Sequence, residues 1–162
     1  MGEKGIPTVV LSQSVEGTPE EKKEFVCQLG RAFHEVGFVA VSGHGVPKSL
    51  IEGFYNAAKA FFSLPEDVKK RYEIPGMAGQ RGYTSFGKEH AKQSKAPDLK
   101  EFFQIGQEVP ETHPLSAIYP ANVQVTETPE LNEIGMRLYR AFEKAGARLL
   151  EAIAIHLELP ED

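Results

Sequence analysis

Few side chains in this sequence are placed to do chemistry in concert. Its five histidines, His34, His44, His90, His113 and His156, are scattered over 162 residues. A metal centre needs two or three of them to converge, usually with a carboxylate. One His-x-acid pattern occurs, His156-Leu157-Glu158. On a strand that spacing would put both ligands on one face. Here it falls in a helical pattern, where residues two apart diverge by about 200°. His156 also lies on the apolar stripe of that helix and is expected to be a core or cap-proximal residue. His44 stands between two glycines in GFVAVSGHGV (37–46). Its type suits a metal ligand or a base, but nothing else in the chain supplies partners. Its expected role is to hydrogen-bond the backbone of its own turn. His34 is expected near a helix C-terminus, where an imidazolium complements the dipole. His113 is in a proline-flanked loop, and His90 is in a polar connection expected to be exposed to solvent. Nucleophile elbows, phosphate-binding loops, dinucleotide fingerprints and C-x-x-C pairs are absent from the sequence. No catalytic residue and no metal ligand is assigned.

One segment has the make-up of a binding site. GQRGYTSFGKE (79–89) combines glycines with Arg81, Tyr83, Phe86 and Lys88. The glycines permit close backbone approach, and the arginine can clamp a carboxylate in bidentate fashion. Tyr83 offers a ring and a hydroxyl to orient a ligand. The competing reading is an exposed hairpin of mixed side chains. Two other candidates are given structural roles. Cys27, the single cysteine, is expected to be a small buried hydrophobe in a helix beside Phe25, Val26 and Leu29. Lys69, Lys70 and Arg71 follow Glu66 and Asp67 and are expected to form a solvated helix face.

The elements that must carry these residues are legible from periodicity and punctuation. IPTVVLS (6–12) reads as a strand. Thr18, Pro19 and Glu21 form a capping box for a helix whose apolar residues are Phe25, Val26, Leu29, Phe33 and Val36, stopped by Gly37. FVAVS (38–42) is a short strand. Pro47 opens a helix with the stripe Leu50, Ile51, Phe54, Ala58, Phe61 and Phe62. A short helix is expected over 63–73, then a Gly/Pro-rich loop. GYTSFGKE and LKEFFQIG are two candidate strands, and 107–128 reads as irregular. Thr128 caps a last helix running to about Leu159. The mixture is α+β, and four short strands make a thin sheet for so many apolar helices.

Composition limits the function. Hydrophobic residues make up 41% and the net charge is −5, which supports one globular domain and argues against a nucleic-acid surface. One cysteine, no apolar secretory segment and no run of membrane-span length predict a soluble, cytoplasmic protein.

In chain order, IPTVVLS, GFVAVSGHGV, AFFSLPEDVKKRY, RGYTSFGKE, DLKEFFQIG and IYPAN resemble the N-terminal region of the isopenicillin N synthase-like non-haem Fe(II)/2-oxoglutarate-dependent dioxygenases. GFVAVSGHGV is similar to that family's G-F-[FV]-x-[VL]-x-x-H-G-[IV] element, and DLKEFFQIG to its D-x-K-E-x-F-x-I-G. Tyr119 stands where the family has tryptophan in its W-P segment. The resemblance implies N-terminal helices plus part of a distorted double-stranded β-helix, or jelly roll, over residues 1–162. It implies that the iron-binding half, with its H-x-D, distant His and R-x-S, lies outside these residues. The complete enzyme would use Fe(II) and 2-oxoglutarate, neither bound by this chain alone, to hydroxylate, desaturate or cyclise a small molecule. Arg81, Tyr83 and Phe86 become candidate substrate contacts. The expected partners are the substrate and a C-terminal catalytic half or a second chain, with no nucleic acid and no membrane. The alternative is a non-catalytic binding or partner module derived from that family.

Overall fold

Thr18 fixes where the first long helix begins. In the computed structural model, which describes residues 5–77, 79–89 and 98–160, the Thr18 hydroxyl accepts from the Glu21 N–H at 3.3 Å. The Glu21 carboxylate accepts from the Thr18 N–H at 2.7 Å. Both halves of the capping box are therefore made. The strand β1 (Thr8–Val10) and a short helix α1 (Ser12–Glu16) precede the capped helix α2 (Pro19–Glu35). Gly37, at φ +81°, ends α2 by donating to the Ala32 and Phe33 carbonyls. The strand β2 (Ala40–Ser42) then pairs with β1 in parallel, with Val9 opposite Val41.

After β2 come α3 (Lys48–Phe62), α4 (Glu66–Lys70) and the antiparallel pair β3 (Gly82–Thr84) and β4 (Phe102–Gln104), in which Tyr83 lies opposite Phe103. The helix α5 (Glu130–His156) closes the described chain, about 40 Å of helix at 1.5 Å per residue. The described residues are thus α+β, with two two-stranded sheets.

The chain divides into two units. One takes the residues up to Pro47 and those from Arg140. Its core is Val9, Leu11, Phe25, Leu29, Ala145 and Ala152. The other runs from Lys48 to Tyr139, with a core of Ala57, Phe61, Tyr72, Tyr83, Val125 and Leu131. Phe61 is fully buried there and meets Phe62, Tyr72, Tyr83 and Phe103 edge-on at centroid distances of 4.9–6.1 Å.

Several expectations need correction. The first strand is confined to 8–10, and Ser12–Glu16 is helical. Cys27 is exposed. It lies about 200° around α2 from the core residue Phe25, so a helix that buries Phe25 and Leu29 turns it outward. Lys69 is not part of a solvated face. It is 7% exposed and ion-paired with Glu101 at 2.7 Å. Lys70 and Arg71 do remain at the surface, paired with Glu66 and Glu127. At α5 the Thr128 carbonyl accepts from Leu131, but the buried Thr128 hydroxyl has no partner, so it makes no side-chain cap. Of the two places expected for His156 the structure shows the cap-proximal one: it is exposed in the last turn of α5, its ring lying over the backbone of Gly30.

Candidate functional site

A cleft of about 450 Å³ forms where the loop after α4 meets β3. Its walls are Glu73, Ile74, Pro75, Gly76, Gly79, Arg81, Tyr83, Thr84, Lys88 and Glu89. Its volume lies in the range of small-molecule sites. The wall is built on Gly82. At φ +76°, a Cβ there would stand 2.5 Å from the Tyr72 carbonyl oxygen, the same oxygen that accepts the Tyr83 N–H at 3.0 Å. Only glycine permits that approach.

Arg81 lies on a second glycine. A Cβ on Gly106 would stand 2.1 Å from Arg81 Cζ, so the guanidinium rests directly on bare backbone. Gly106 is held in turn by Asn122, whose amide accepts from its N–H at 2.8 Å and donates to its C=O at 2.9 Å. Arg81 Nη1 donates to the Gln80 carbonyl at 2.7 Å, while the buried Nε has no partner. Among the described residues Arg81 has no ion pair, whereas the other cation of the cleft, Lys88, lies 3.9 Å from Glu73. Glu89 is taken by Lys100 at 2.7 Å. The cleft's unspent charge is therefore the guanidinium.

Tyr83 has a different part. Its ring is in the core and its hydroxyl donates to Glu101, which also holds Lys69. Lys69 donates further to the Phe62 carbonyl at 3.2 Å and sits 5.6 Å from the centre of the Tyr83 ring. Burial first, then the bond to Glu101, push the Tyr83 hydroxyl well above the ordinary tyrosine range. It is a fixed neutral donor, so the tyrosine meets the cleft as a wall. Phe86 is 55% exposed and is not among the cleft walls. Arg81 and Tyr83 are thus brought together and Phe86 is not. Sequence reasoning missed Asn122 and Glu101, although both lie in segments it singled out, IYPAN and DLKEFFQIG.

Glu73 anchors the other rim. Burial opposes its ionisation. Hydrogen bonds from Ser85, including the backbone N–H at 2.8 Å, outweigh burial with help from the charges of Lys88 and Lys70. They hold the carboxyl below its ordinary range.

The described histidines, His34, His44, His113 and His156, do not line this cleft. His44 Nδ1 accepts the Val46 N–H at 3.1 Å, the turn role expected for it, and His113 Nδ1 accepts from Leu115 in the same way at 3.2 Å. His34 is in the last turn of α2, as expected. His90 lies outside the described residues. Among the described residues no three histidine, cysteine, aspartate or glutamate side chains come together as a metal site, and no helix is long and apolar enough to cross a membrane.

Comparison with known proteins places this architecture. The chain is 31% identical over 96% of its length to a 2-oxoglutarate-dependent dioxygenase of Aspergillus niger, of which it covers 49%. It is 31% identical over 98% of its length to another from Penicillium crustosum, of which it covers 50%. It thus spans about half the length of these curated relatives. Among solved structures it superposes on a putative 2OG-Fe(II) oxygenase family protein of Caulobacter crescentus with a TM-score of 0.83. That match has 35% identity and covers 96% of this chain and 49% of the other. A Neurospora crassa protein solved in complex with alpha-KG matches with a TM-score of 0.73 at 25% identity, over 98% of this chain and 50% of the other. The family described as non-haem dioxygenase in morphine synthesis, N-terminal, matches residues 6–131, and the chain belongs to that dioxygenase N-terminal family.

Proposed function

We propose that these residues are the N-terminal part of an Fe(II)- and 2-oxoglutarate-dependent oxygenase of a small acidic molecule, and that the 73–89 cleft is one wall of its substrate pocket. Among the described residues no cluster of side chains fits an iron site. In this reading iron and 2-oxoglutarate are held by a jelly-roll half outside the 162 residues. The part of this chain is to bind and orient. Arg81 pairs with a substrate carboxylate, using the guanidinium edge that no carboxylate among the described residues occupies. Tyr83 supports the floor through its bond to Glu101. Phe86 covers the bound molecule from the exposed loop. Phe38, Leu150, Ile155, Leu157 and Leu159, all more than half exposed, supply apolar surface for packing against the catalytic half.

The observation that carries the reading is the unpaired Arg81, with a buried, unpartnered Nε, in a cleft of substrate size. A guanidinium without a counter-ion in a concave site favours a bound carboxylate, which would pair with its outer Nη edge. The test uses the full-length protein with Fe(II) and 2-oxoglutarate, assayed against small carboxylic acids and their methyl esters. Arg81→Ala is expected to raise KM for the acids by roughly tenfold or more and to leave the esters unaffected. Arg81→Lys should recover part of the loss. Absence of any 2-oxoglutarate turnover would overturn the oxygenase reading. Equal effects on acids and esters would overturn the role of Arg81 alone.

A further inference from the structure

A second cleft, of about 260 Å³, lies at the glycine–histidine turn and shares no residue with the first. Its walls include Ser12, Glu16, His44, Lys144 and Arg148. We propose that this cleft binds a phosphate-type oxyanion through Lys144, Arg148 and the His44 ring.

The argument starts from charge. Lys144 and Arg148 are four residues apart on α5 and therefore share a face. Neither has an ion pair among the described residues. Glu16 is the one carboxylate among the cleft walls, so the two cations leave a positive excess in a concave site. Two like charges on one wall of a cleft repel each other, and a bound anion relieves that repulsion.

The donors are arranged to complement it. His44 Nδ1 is occupied by the Val46 N–H at 3.1 Å. In the neutral ring this leaves the proton on Nε2, so the ring's free nitrogen is a donor. The Ser12 hydroxyl lies against the turn, 2.9 Å from where a Gly43 Cβ would be. Donors thus come from three elements: the start of α1, the turn after β2, and α5. That suits a tetrahedral anion better than a planar carboxylate, which one arginine fork can satisfy. Gly43 at φ +61° and Gly45 at φ +74° keep the turn free of side chains beside the site. The volume falls below the range of about 300–1,000 Å³ typical of drug-sized ligands. A small anion fits, either inorganic phosphate or the phosphate group of a monoester. This inference is independent of the proposed oxygenase role.

The test is an amide NMR titration of the full-length protein in chloride buffer with inorganic phosphate, and separately with methyl phosphate. Saturable shifts are expected at Ser12, Gly43 and Gly45, weakening as salt is raised. In K144Q/R148Q the affinity should fall by roughly tenfold or more. R148K, which keeps the charge and loses the planar fork, should weaken binding less and guards against misfolding of the double variant. Tighter binding of methyl phosphate identifies a phosphate ester as the natural source; equal or weaker binding identifies free phosphate. Non-saturable shifts, unchanged affinity in K144Q/R148Q, or shifts confined to residues 81–88 would overturn the proposal.

Discussion

The side-chain amide of Asn122 pairs with the backbone of Gly106 as one strand pairs with another, accepting its N–H at 2.8 Å and donating to its C=O at 2.9 Å. Gly106 is the surface on which the Arg81 guanidinium lies. The position of the cleft's free cation is thus set from the irregular segment before α5. Asn132 repeats the device, accepting from Val125 N–H at 2.8 Å and donating to the Val123 carbonyl at 2.7 Å. Two asparagines therefore do for the 122–125 segment what a third strand would otherwise do.

Asn122→Ala leaves both backbone groups of Gly106 without their partner, and should lower stability by about 2 kcal/mol or more. The urea midpoint measures this. Gly106→Ala separates stability from positioning, because its Cβ would displace Arg81 directly. It should weaken binding of an acidic ligand as severely as Arg81→Ala while moving the midpoint less than Asn122→Ala. If Gly106→Ala binds normally, the arginine does not depend on that platform.

Lys69 and Glu101 form a buried pair, with side chains 8% and 17% exposed. Removing one partner strands the other, so Lys69→Met should cost about 3–5 kcal/mol. Lys69→Met combined with Glu101→Gln should recover part of that loss, since no charge is then buried alone. Lys70→Ala, one residue away, should be silent in the same denaturation assay. Equal effects at 69 and 70 would contradict the burial of Lys69.

That contrast shows what was legible in the sequence and what was not. Lys69 and Lys70 are the same residue type in one charge run, and a five-residue helix carries too little periodicity to say which faces inward. The deciding partner, Glu101, is 32 positions away. By contrast the bounds of α2 were readable because Thr18, Glu21 and Gly37 act within a few residues of themselves. The paired strands 82–84 and 102–104 were readable from composition, and His44 from its lack of partners. Cys27 was misjudged by its neighbours in sequence, when the relevant neighbours are three and four residues away. The cleft was half legible: Arg81 and Tyr83 by type, but not Asn122, because an asparagine in a loop shows nothing of the backbone it will hold.

Glu73 binds its proton less readily in the folded protein than in the unfolded chain, because Ser85 and nearby lysines favour its ionised form despite burial. The unfolded state therefore takes up more protons as pH falls, and stability falls with it. The contribution is fully present above the unfolded value of about 4.3 and is lost as pH drops through the lower folded value. Glu73→Gln should flatten this part of the acid limb of a stability–pH curve and leave the neutral region's slope unchanged. A variant whose acid limb matches the parent would show that Glu73 is not held by Ser85.

Gly82 and Gly76 both have positive φ, +76° and +82°, but for different reasons. A Cβ at Gly76 meets nothing within 4 Å, so Gly76→Ala carries backbone strain alone, about 1–2 kcal/mol. A Cβ at Gly82 would be 2.5 Å from the Tyr72 carbonyl oxygen and 2.8 Å from Val123 Cγ2. Gly82→Ala must therefore add a steric cost to the same strain. It must also shift β3, which carries Tyr83 and follows directly on Arg81. The expected loss is about 3 kcal/mol or more, with weaker binding of acidic ligands in any folded fraction. Denaturation curves for the two alanine variants decide the matter. If they coincide, φ alone accounts for both glycines, and the close approach of β3 to Tyr72 is not what holds the cleft wall in place.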